Sequence, residues 1–459
     1  RKKLLAGVMA LALCSTNMPL QTIFAGEFTS GNLEEVSEET PEIFSDDNQE
    51  VIEETEEELS VFSSENVPEF SSEVNIMSAT ADETKPIGID MNDITNLNYY
   101  DSSKGIWKIT SAGSYRFNGT GNNDAPILID HIDSGTVKVY LNNVNIHSAD
   151  RTPPLRITNT VHADVYIYLE SSNLLQSTYI NSAALQIDGT TKLIIDNSPE
   201  TNGSLTANSS KHGTGIGSSG NSDLSPAFHI IIKGGAVTAS SFRSMGIGGN
   251  NSNITIKGGL VKVSSDQWCA IGGTKSNITI DGGSVKASSR THFGIKSSSL
   301  TINGGSVTAS SEEEPKEDIS SNQIIINGGS VKASSVSSSP TNDHGEKVYC
   351  CTIENLNSKK VIIDQNLKPW EPNNHQAVNP TDTNLYAWLT GEDHIVNVGT
   401  ERRSYIFDSE DSESGTFSNT KRNATSDIFE FKGPRNFIYN GSSQTPSITV
   451  NDTIKGVVN

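Results

Sequence analysis

Residues 252–273 read SNITIKGGLVKVSSDQWCAIGG, and residues 276–297 read SNITIDGGSVKASSRTHFGIKS. The second stretch repeats the first at most positions. Gly-Gly pairs mark this repeat and begin at positions 234, 258, 282, 304 and 328, so successive intervals are 24, 24, 22 and 24 residues. A fixed period in this range is typical of a solenoid, in which each repeat forms one coil that stacks on its neighbours.

Within each repeat, apolar and polar residues alternate as they do in β-strands. In NITIKGG, Ile254 and Ile256 fall on one side and Lys257 on the other, and LVKVSS repeats this pattern around Lys262. A period of two residues predicts strands with one buried side. The Gly pair between the two segments suits a sharp corner, because glycine accepts positive φ without a side-chain clash.

A third short segment completes each coil. It reads MGIGG, CAIGG and FGIKS in successive repeats, and we expect Met245, Cys269 and Phe293 to face the core at equivalent positions. Three short parallel strands per coil, stacked about 4.8 Å apart, predict an all-β protein built on a right-handed parallel β-helix. A leucine-rich horseshoe is disfavoured because its leucine pattern is missing, and a calcium-binding β-roll because no Asp follows the glycines.

The helix is predicted to occupy residues 86–345. Looser repeats such as TVKVYLNNVNI (136–146) precede the regular ones. We expect residues 105–119, GIWKITSAGSYRFNG, to cap the N-terminal end, because an open solenoid exposes unpaired strand edges. The composition, 34% hydrophobic and 6% aromatic, indicates a thin β core rather than the core of a large α/β enzyme.

The N-terminal part of the chain has two distinct compositions. Residues 1–25 begin with three basic residues, continue with an apolar run and end on Ala25, which is the layout of a secretory signal peptide and too short for a membrane span. Residues 26–84 hold 19 acidic residues and no Lys or Arg, so residues 26–85 are predicted to be a disordered acidic segment. We therefore expect a secreted or cell-surface protein with no membrane span.

The period stops near residue 345. Residues 346–408 predict a small β module, which is similar to the segment that follows such helices in surface proteins of Gram-positive gut bacteria. Residues 409–425 have the composition of a linker. Residues 426–459 resemble the opening strands of an immunoglobulin-like repeat of bacterial surface proteins, and the sequence ends before such a domain could close.

The cysteines do not predict a disulfide framework. Loss of the signal peptide would leave Cys269, Cys350 and Cys351. Adjacent cysteines can pair only as a strained ring, and no further Cys or His lies at metal-ligand spacing. We expect structural thiols.

Four segments together carry a family resemblance: IWKITSAGSYRFNG (106–119), VKVYLNNVNIHS (137–148), ALQIDGTTKLIIDN (184–197) and the ITIKGG repeats. They look like the bacterial secreted carbohydrate-binding β-helix family, whose members resemble pectate lyases in fold. This resemblance implies extracellular binding of plant cell-wall polysaccharide, notably acidic pectin chains, often with bound calcium. The positions that carry acidic residues in the family read SMGIGG, WCAIGG and HFGIKS here, so we carry over no calcium ligands and predict no cofactor.

Alignment of the repeats on their glycines gives candidate carbohydrate-binding residues. Lys262 and Lys286 would stack on the outer surface about 4.8 Å apart, where they repel unless an anion such as a uronic acid bridges them. Lys257 projects outward one residue before its Gly pair, and Trp268 and His292 would form an outward pair able to stack on sugar rings. The structural alternative is that exposed lysines protect the strands from aggregation and that a corner aromatic covers the next turn.

An enzyme is the other class to weigh, because lyases share this architecture. RTPPLR (151–156) matches the Arg-x-Pro-x-x-Arg pattern of pectate lyases, and LIDHID (128–133) is similar to another lyase motif. An Arg base needs a strongly electropositive, calcium-assisted site, and no cluster of acidic ligands accompanies it. We therefore predict a non-catalytic, monomeric binding protein for extracellular polysaccharide, with a cell-surface adhesin or stalk as the alternative. Because residues 86–459 are only mildly acidic, their charge does not suggest nucleic acid as a partner.

Overall fold

The computed structural model describes residues 85–119, 125–220, 227–313, 317–357, 359–364, 383–409, 414–419, 429–432 and 447–450. The predicted signal peptide, almost all of the acidic segment and most of the linker lie outside these residues. Every regular element in the described ranges is a β-strand. None of the described residues forms a helix with the length and apolar character needed to cross a membrane.

Residues 87–332 form a parallel β-solenoid of about 10 turns, which confirms the predicted parallel β-helix. The solenoid has three faces. Along the chain, each coil passes through the third face, then the first face, and then the second face. The first face contains β1 (Ile87–Asp90), β4 (Gly113–Asn118), β6 (Thr136–Asn142), β9 (Asp164–Leu169), β12 (Lys192–Asn197), β15 (Phe228–Ile232), β18 (Ser252–Ile256) and β21 (Asn277–Ile280).

The second face follows the Gly-Gly corner and is an eight-stranded parallel sheet. It contains β7 (Asn145–Ser148), β10 (Ser172–Ser177), β13 (Ser204–Ser209), β16 (Ala236–Ser241), β19 (Leu260–Ser265), β22 (Ser284–Ser289), β24 (Ser306–Ser311) and β26 (Ser330–Lys332).

The third face contains shorter strands and joins the first face into one 18-stranded sheet, because two strands, β23 (Ile295–Ile302) and β25 (Ile319–Ile326), run through both faces. It contains β3 (Ile106–Ile109), β5 (Ile127–Ile129), β8 (Leu155–Ile157), β11 (Leu185–Ile187), β14 (Ile216–Gly217), β17 (Ile247–Gly248), β20 (Ile271–Gly272) and the first halves of β23 (Ile295–Ile302) and β25 (Ile319–Ile326).

The core consists of stacked columns of the same side chain. On the first face, Ile230, Ile254 and Ile278 are successive register partners and are fully buried. Such columns bury apolar area in every coil while the alternate residues stay outside, which is the arrangement that the period of two predicts. The second and third faces each add a column of this kind: Val237, Val261, Val285 and Val307; Ile216, Ile247, Ile271 and Ile295.

One predicted core position differs from its equivalents. Met245 and Cys269 are fully buried, and burial raises the pKa of the Cys269 thiol to about 12. Phe293, predicted to hold the same place, is only half-buried. Its ring stays at the corner because it packs edge to face on His292 at 6.0 Å and because the Lys296 ammonium lies 4.2 Å above it.

The predicted N-terminal cap is also corrected. Residues 105–119 form β3 and β4, which pair in parallel with β5 and β6 and thus belong to a regular coil. The edge that they leave is covered by β1, which is parallel to β4, and by β2 (Tyr100–Asp101), which runs antiparallel to β3. An antiparallel strand can pair with the edge of the first coil without continuing the solenoid, so it ends the stack.

After the solenoid, the described chain forms a module of antiparallel strands. Strands β27 and β29 pair with each other, and β28, β30, β31 and β32 form a second sheet. The strand bounds are β27 (Val348–Ile353), β28 (Val361–Ile363), β29 (Leu385–Thr390), β30 (His394–Val398), β31 (Glu401–Ser409) and β32 (Gly415–Ser418). Further along, β33 (Phe429–Lys432) pairs antiparallel with β34 (Ser447–Val450).

The module closes the C-terminal end of the solenoid. Trp388 packs against the solenoid core, and its indole N–H donates to the Val331 carbonyl over 3.0 Å. The Tyr386 amide donates to the Ser330 hydroxyl, and the Lys332 ammonium lies 5.3 Å from the Tyr386 ring centre. These contacts hold β29 against β26, the last strand of the second face.

The adjacent cysteines lie on opposite sides of β27. Cys350 is exposed, whereas Cys351 is buried in the core of the module. Neighbouring positions of a strand point to opposite sides, so the two thiols diverge and cannot meet without breaking the strand.

Candidate functional site

The structure places Lys262 and Lys286 side by side on the outer surface of the second face. They are register partners in β19 and β22, and both side chains are exposed. Thr238 precedes them in this column and Thr308 follows. In the described part of the chain neither ammonium group has an acidic partner within ion-pair distance, and the two lysines project from strands that lie about 4.8 Å apart.

Lys257 does not join this pair. It directly follows β18 on the first face, and the Gly258–Gly259 corner separates it from the outer surface of the second face. The next coils carry Asp281 and Asn303 at its position, where the Asn303 amide donates to the Asp281 carboxylate over 2.8 Å. The lysines predicted as one set therefore belong to two faces.

Trp268 and His292 do come together, in the loop between the second and third faces. Their ring centres are 4.9 Å apart, with an angle of 41° between the planes, and both side chains are half-buried. Burial, and then the charge of Lys296, lower the pKa of His292 and so favour its neutral imidazole. Because the two rings cover each other, only their outer surfaces could contact a sugar.

A column of buried serines sets the path of this loop. The Ser265 hydroxyl accepts from the Trp268 amide over 3.0 Å and donates to the Ser244 carbonyl over 2.7 Å. In the next coil Ser289 makes the same two bonds, from the His292 amide at 3.0 Å and to the Trp268 carbonyl at 2.6 Å. Each hydroxyl thereby ties one coil to the preceding one and satisfies backbone groups that the corner would leave without partners.

We expect Ser265→Ala to lower the free energy of unfolding by roughly 1–3 kcal/mol, because it removes two hydrogen bonds between a buried hydroxyl and the backbone. Ser264→Ala is the matched control, because Ser264 is the neighbouring exposed residue and should change stability by less than about 0.5 kcal/mol. Chemical unfolding of both variants checks this. Equal stability of the two variants would show that the serine column does not hold the loop.

A row of tyrosines, which the repeat pattern did not predict, lies on the first face. Tyr140 and Tyr168 stack between adjacent coils with ring centres 4.8 Å apart, and Tyr166 stacks on Tyr168 at 5.9 Å. Arg116 lies 5.4 Å from the Tyr140 ring centre and Lys233 lies 5.6 Å from that of Tyr166. The ring faces are thus covered within the row. Alignment of VKVYL (137–141) with DVYIYL (164–169) places Tyr140 opposite Tyr168 and would predict this row of tyrosines.

The two lyase-like motifs lie on the third face and are held by local hydrogen bonds. The Arg156 guanidinium in β8 is ion-paired with Asp188, Nε to Oδ2 2.6 Å. Asp130 accepts from the hydroxyls of Thr158 and Thr160, each over 2.8 Å. Burial raises the pKa of Asp130, but these hydrogen bonds and the contact with His131 outweigh it and lower the pKa to about 2. Nowhere in the described ranges do three or more His, Cys, Asp or Glu side chains cluster as metal ligands would.

Comparison with known families supports this description. Residues 103–191 match the model of a family described as carbohydrate-binding domain-containing protein, and residues 300–311 match a β-helix repeat model. The matches indicate a carbohydrate-binding role. The first segment includes the tyrosine row and ends before Lys257, so the candidate lysines lie outside it. No curated protein and no solved structure matches the chain.

Proposed function

We propose that the chain is a non-catalytic extracellular protein that binds acidic, pectin-like polysaccharide of plant cell walls. The observation that carries the proposal is the exposed pair Lys262 and Lys286, stacked in adjacent coils. Like charges in adjacent strands are destabilising unless an anion lies between them. A chain of uronic acids supplies one carboxylate per sugar and can satisfy both ammonium groups at once.

The surroundings of Arg156 favour binding over lyase chemistry. Its guanidinium is engaged by Asp188 within the third face. A base for a sugar C–H proton must instead be presented to the substrate within hydrogen-bond reach. We accordingly assign no catalytic residue and no cofactor, and we propose that the chain is a monomer.

We propose that the protein is exported, because residues 1–25 have a basic start followed by an apolar run, as in a signal peptide. The alternative function is a cell-surface adhesin or structural stalk. The antiparallel pair β33 and β34 favours it, because the pair falls in residues 426–459, where an immunoglobulin-like repeat is predicted.

The test is calorimetric titration of the chain with polygalacturonate. The double variant Lys262→Ala and Lys286→Ala should bind about tenfold more weakly, because two charge-assisted contacts are lost. The control variant, Lys275→Ala with Lys359→Ala, removes the same charge from exposed positions elsewhere and should bind like the parent chain. Circular dichroism shows whether each variant folds. Unchanged binding by a folded Lys262/Lys286 variant would refute this site.

A further inference from the structure

A second outer surface of the solenoid has a different chemistry from the lysine pair. It is the loop that leaves the second face in consecutive coils, and we call it the ledge. The ledge consists of residues 178–182, 210–214, 242–246, 266–270 and 290–294. It includes Trp268 and His292, the aromatic pair that the sequence predicts as carbohydrate-binding.

The backbone keeps the ledge straight along the solenoid axis. The Phe242 amide donates to the Ser209 carbonyl over 3.1 Å, and the Gln267 amide donates to the Phe242 carbonyl over 3.0 Å. One coil later, the Thr291 amide donates to the Asp266 carbonyl over 3.2 Å. These bonds between successive coils give the ledge the coil spacing of about 4.8 Å, so its side chains form a row rather than a scattered set.

Two large apolar side chains are exposed on the ledge, with the coil of residues 210–214 between them. Phe242 is 41% exposed and Ile180 is 49% exposed, and both lie on the ledge. In the described residues only two other large apolar side chains are as exposed, Ile94 and Leu97 near the N-terminal end. Phe242 and Trp268 lie in adjacent coils, because Ser241 and Ser265 just before the loop are register partners.

Positive charge accompanies the aromatic groups in the middle of the ledge. The Arg243 guanidinium lies 5.6 Å from the Phe242 ring centre and 3.3 Å from the His212 ring nitrogen. Lys211 is exposed in the same stretch. Farther along the ledge, the Arg290 guanidinium binds Asp266 at 2.5 Å and Glu313 at 2.6 Å.

We propose that the ledge binds an acidic glycan chain lying parallel to the solenoid axis, with sugar rings on Phe242 and Trp268 and a carboxylate on Arg243. Aromatic faces suit the C–H surface of a sugar ring, and a guanidinium can bind a carboxylate with two parallel hydrogen bonds. Because Lys211, Phe242 with Arg243, and Trp268 lie in three successive coils, a longer oligomer reaches more of them. The inference rests on the proposed function, since it places the same class of ligand.

The ledge makes affinity depend on the length of the ligand. Calorimetry with galacturonate oligomers of increasing length should show affinity that rises with length. The double variant Phe242→Ala and Arg243→Gln should bind the long oligomers about tenfold more weakly and lose most of this dependence. Leu97→Ala is the matched control, because Leu97 is 74% exposed away from the ledge, and it should bind like the parent chain.

The two proposals fail in different ways. If the folded Phe242/Arg243 variant binds long oligomers as tightly as the parent while the Lys262/Lys286 variant does not, the ledge inference is wrong and the proposed function stands. If the parent chain binds no glycan, both are wrong. Loss of binding in the Leu97 variant as well would also overturn the inference, because the effect would not be specific to the ledge.

Discussion

Gly283→Ala should lower the free energy of unfolding by more than about 3 kcal/mol, because the corner has no room for a methyl group. Gly283 has φ of +80°, and an added Cβ would lie 2.7 Å from the Gly258 carbonyl carbon and 2.8 Å from the Gly259 oxygen. Both contacts are to the backbone of the preceding coil. The coils would therefore have to separate at this corner to accept the substitution.

Gly345 provides a control that isolates the cause. Its φ is +79°, nearly the same as that of Gly283, but an added Cβ would meet nothing within 4 Å. Gly345→Ala should therefore cost only the backbone strain, roughly 1–2 kcal/mol. Chemical unfolding of both variants makes the comparison. Equal losses would mean that backbone conformation alone, and not the close stacking of coils, requires glycine at the corner.

Trp388→Ala should remove the closure of the solenoid at its C-terminal end and cost about 3 kcal/mol. The indole packs on the solenoid core and is hydrogen-bonded to the Val331 carbonyl. Without it, the edge beside β26 meets water. Amide hydrogen exchange should accelerate first in β25 and β26 and leave β6 and β9 protected, because each coil contacts only its neighbours.

Trp388→Phe separates the ring from its hydrogen bond. It keeps an aromatic group on the core and should lose only about 1 kcal/mol. If the Ala variant exchanges evenly along the whole solenoid, the module does not act as a local closure. If Ala and Phe behave alike, the packed ring contributes little.

The repeats specify the fold because every coil has the same pattern of apolar, polar and glycine residues. The alternation at Ile254, Ile256 and Lys257 determines which side is buried, and the Gly pairs determine where the corner falls. The ends of the solenoid lack this repetition. The sequence of residues 105–119 therefore predicts a cap, whereas in the structure they pair in register like any other coil.

The candidate site was less predictable for a related reason. Stacking at equivalent positions follows from the alignment of repeats, so the partnership of Lys262 with Lys286 could be derived. The position of Lys257 on the other side of the Gly-Gly corner could not be derived in this way, because a linear alignment does not show to which face a residue belongs. The place of Phe242 on the ledge depends on a loop whose length and composition vary from coil to coil.

The central claim is that this solenoid recognises acidic polysaccharide, and the most direct test compares polygalacturonate with a neutral polysaccharide at rising salt concentration. Exposed charges are screened within about 8 Å at physiological ionic strength. We expect that polygalacturonate binds, that its affinity falls as salt rises, and that the neutral polymer is not retained. Equal binding of both polymers with no salt dependence, or no binding of either, would contradict it.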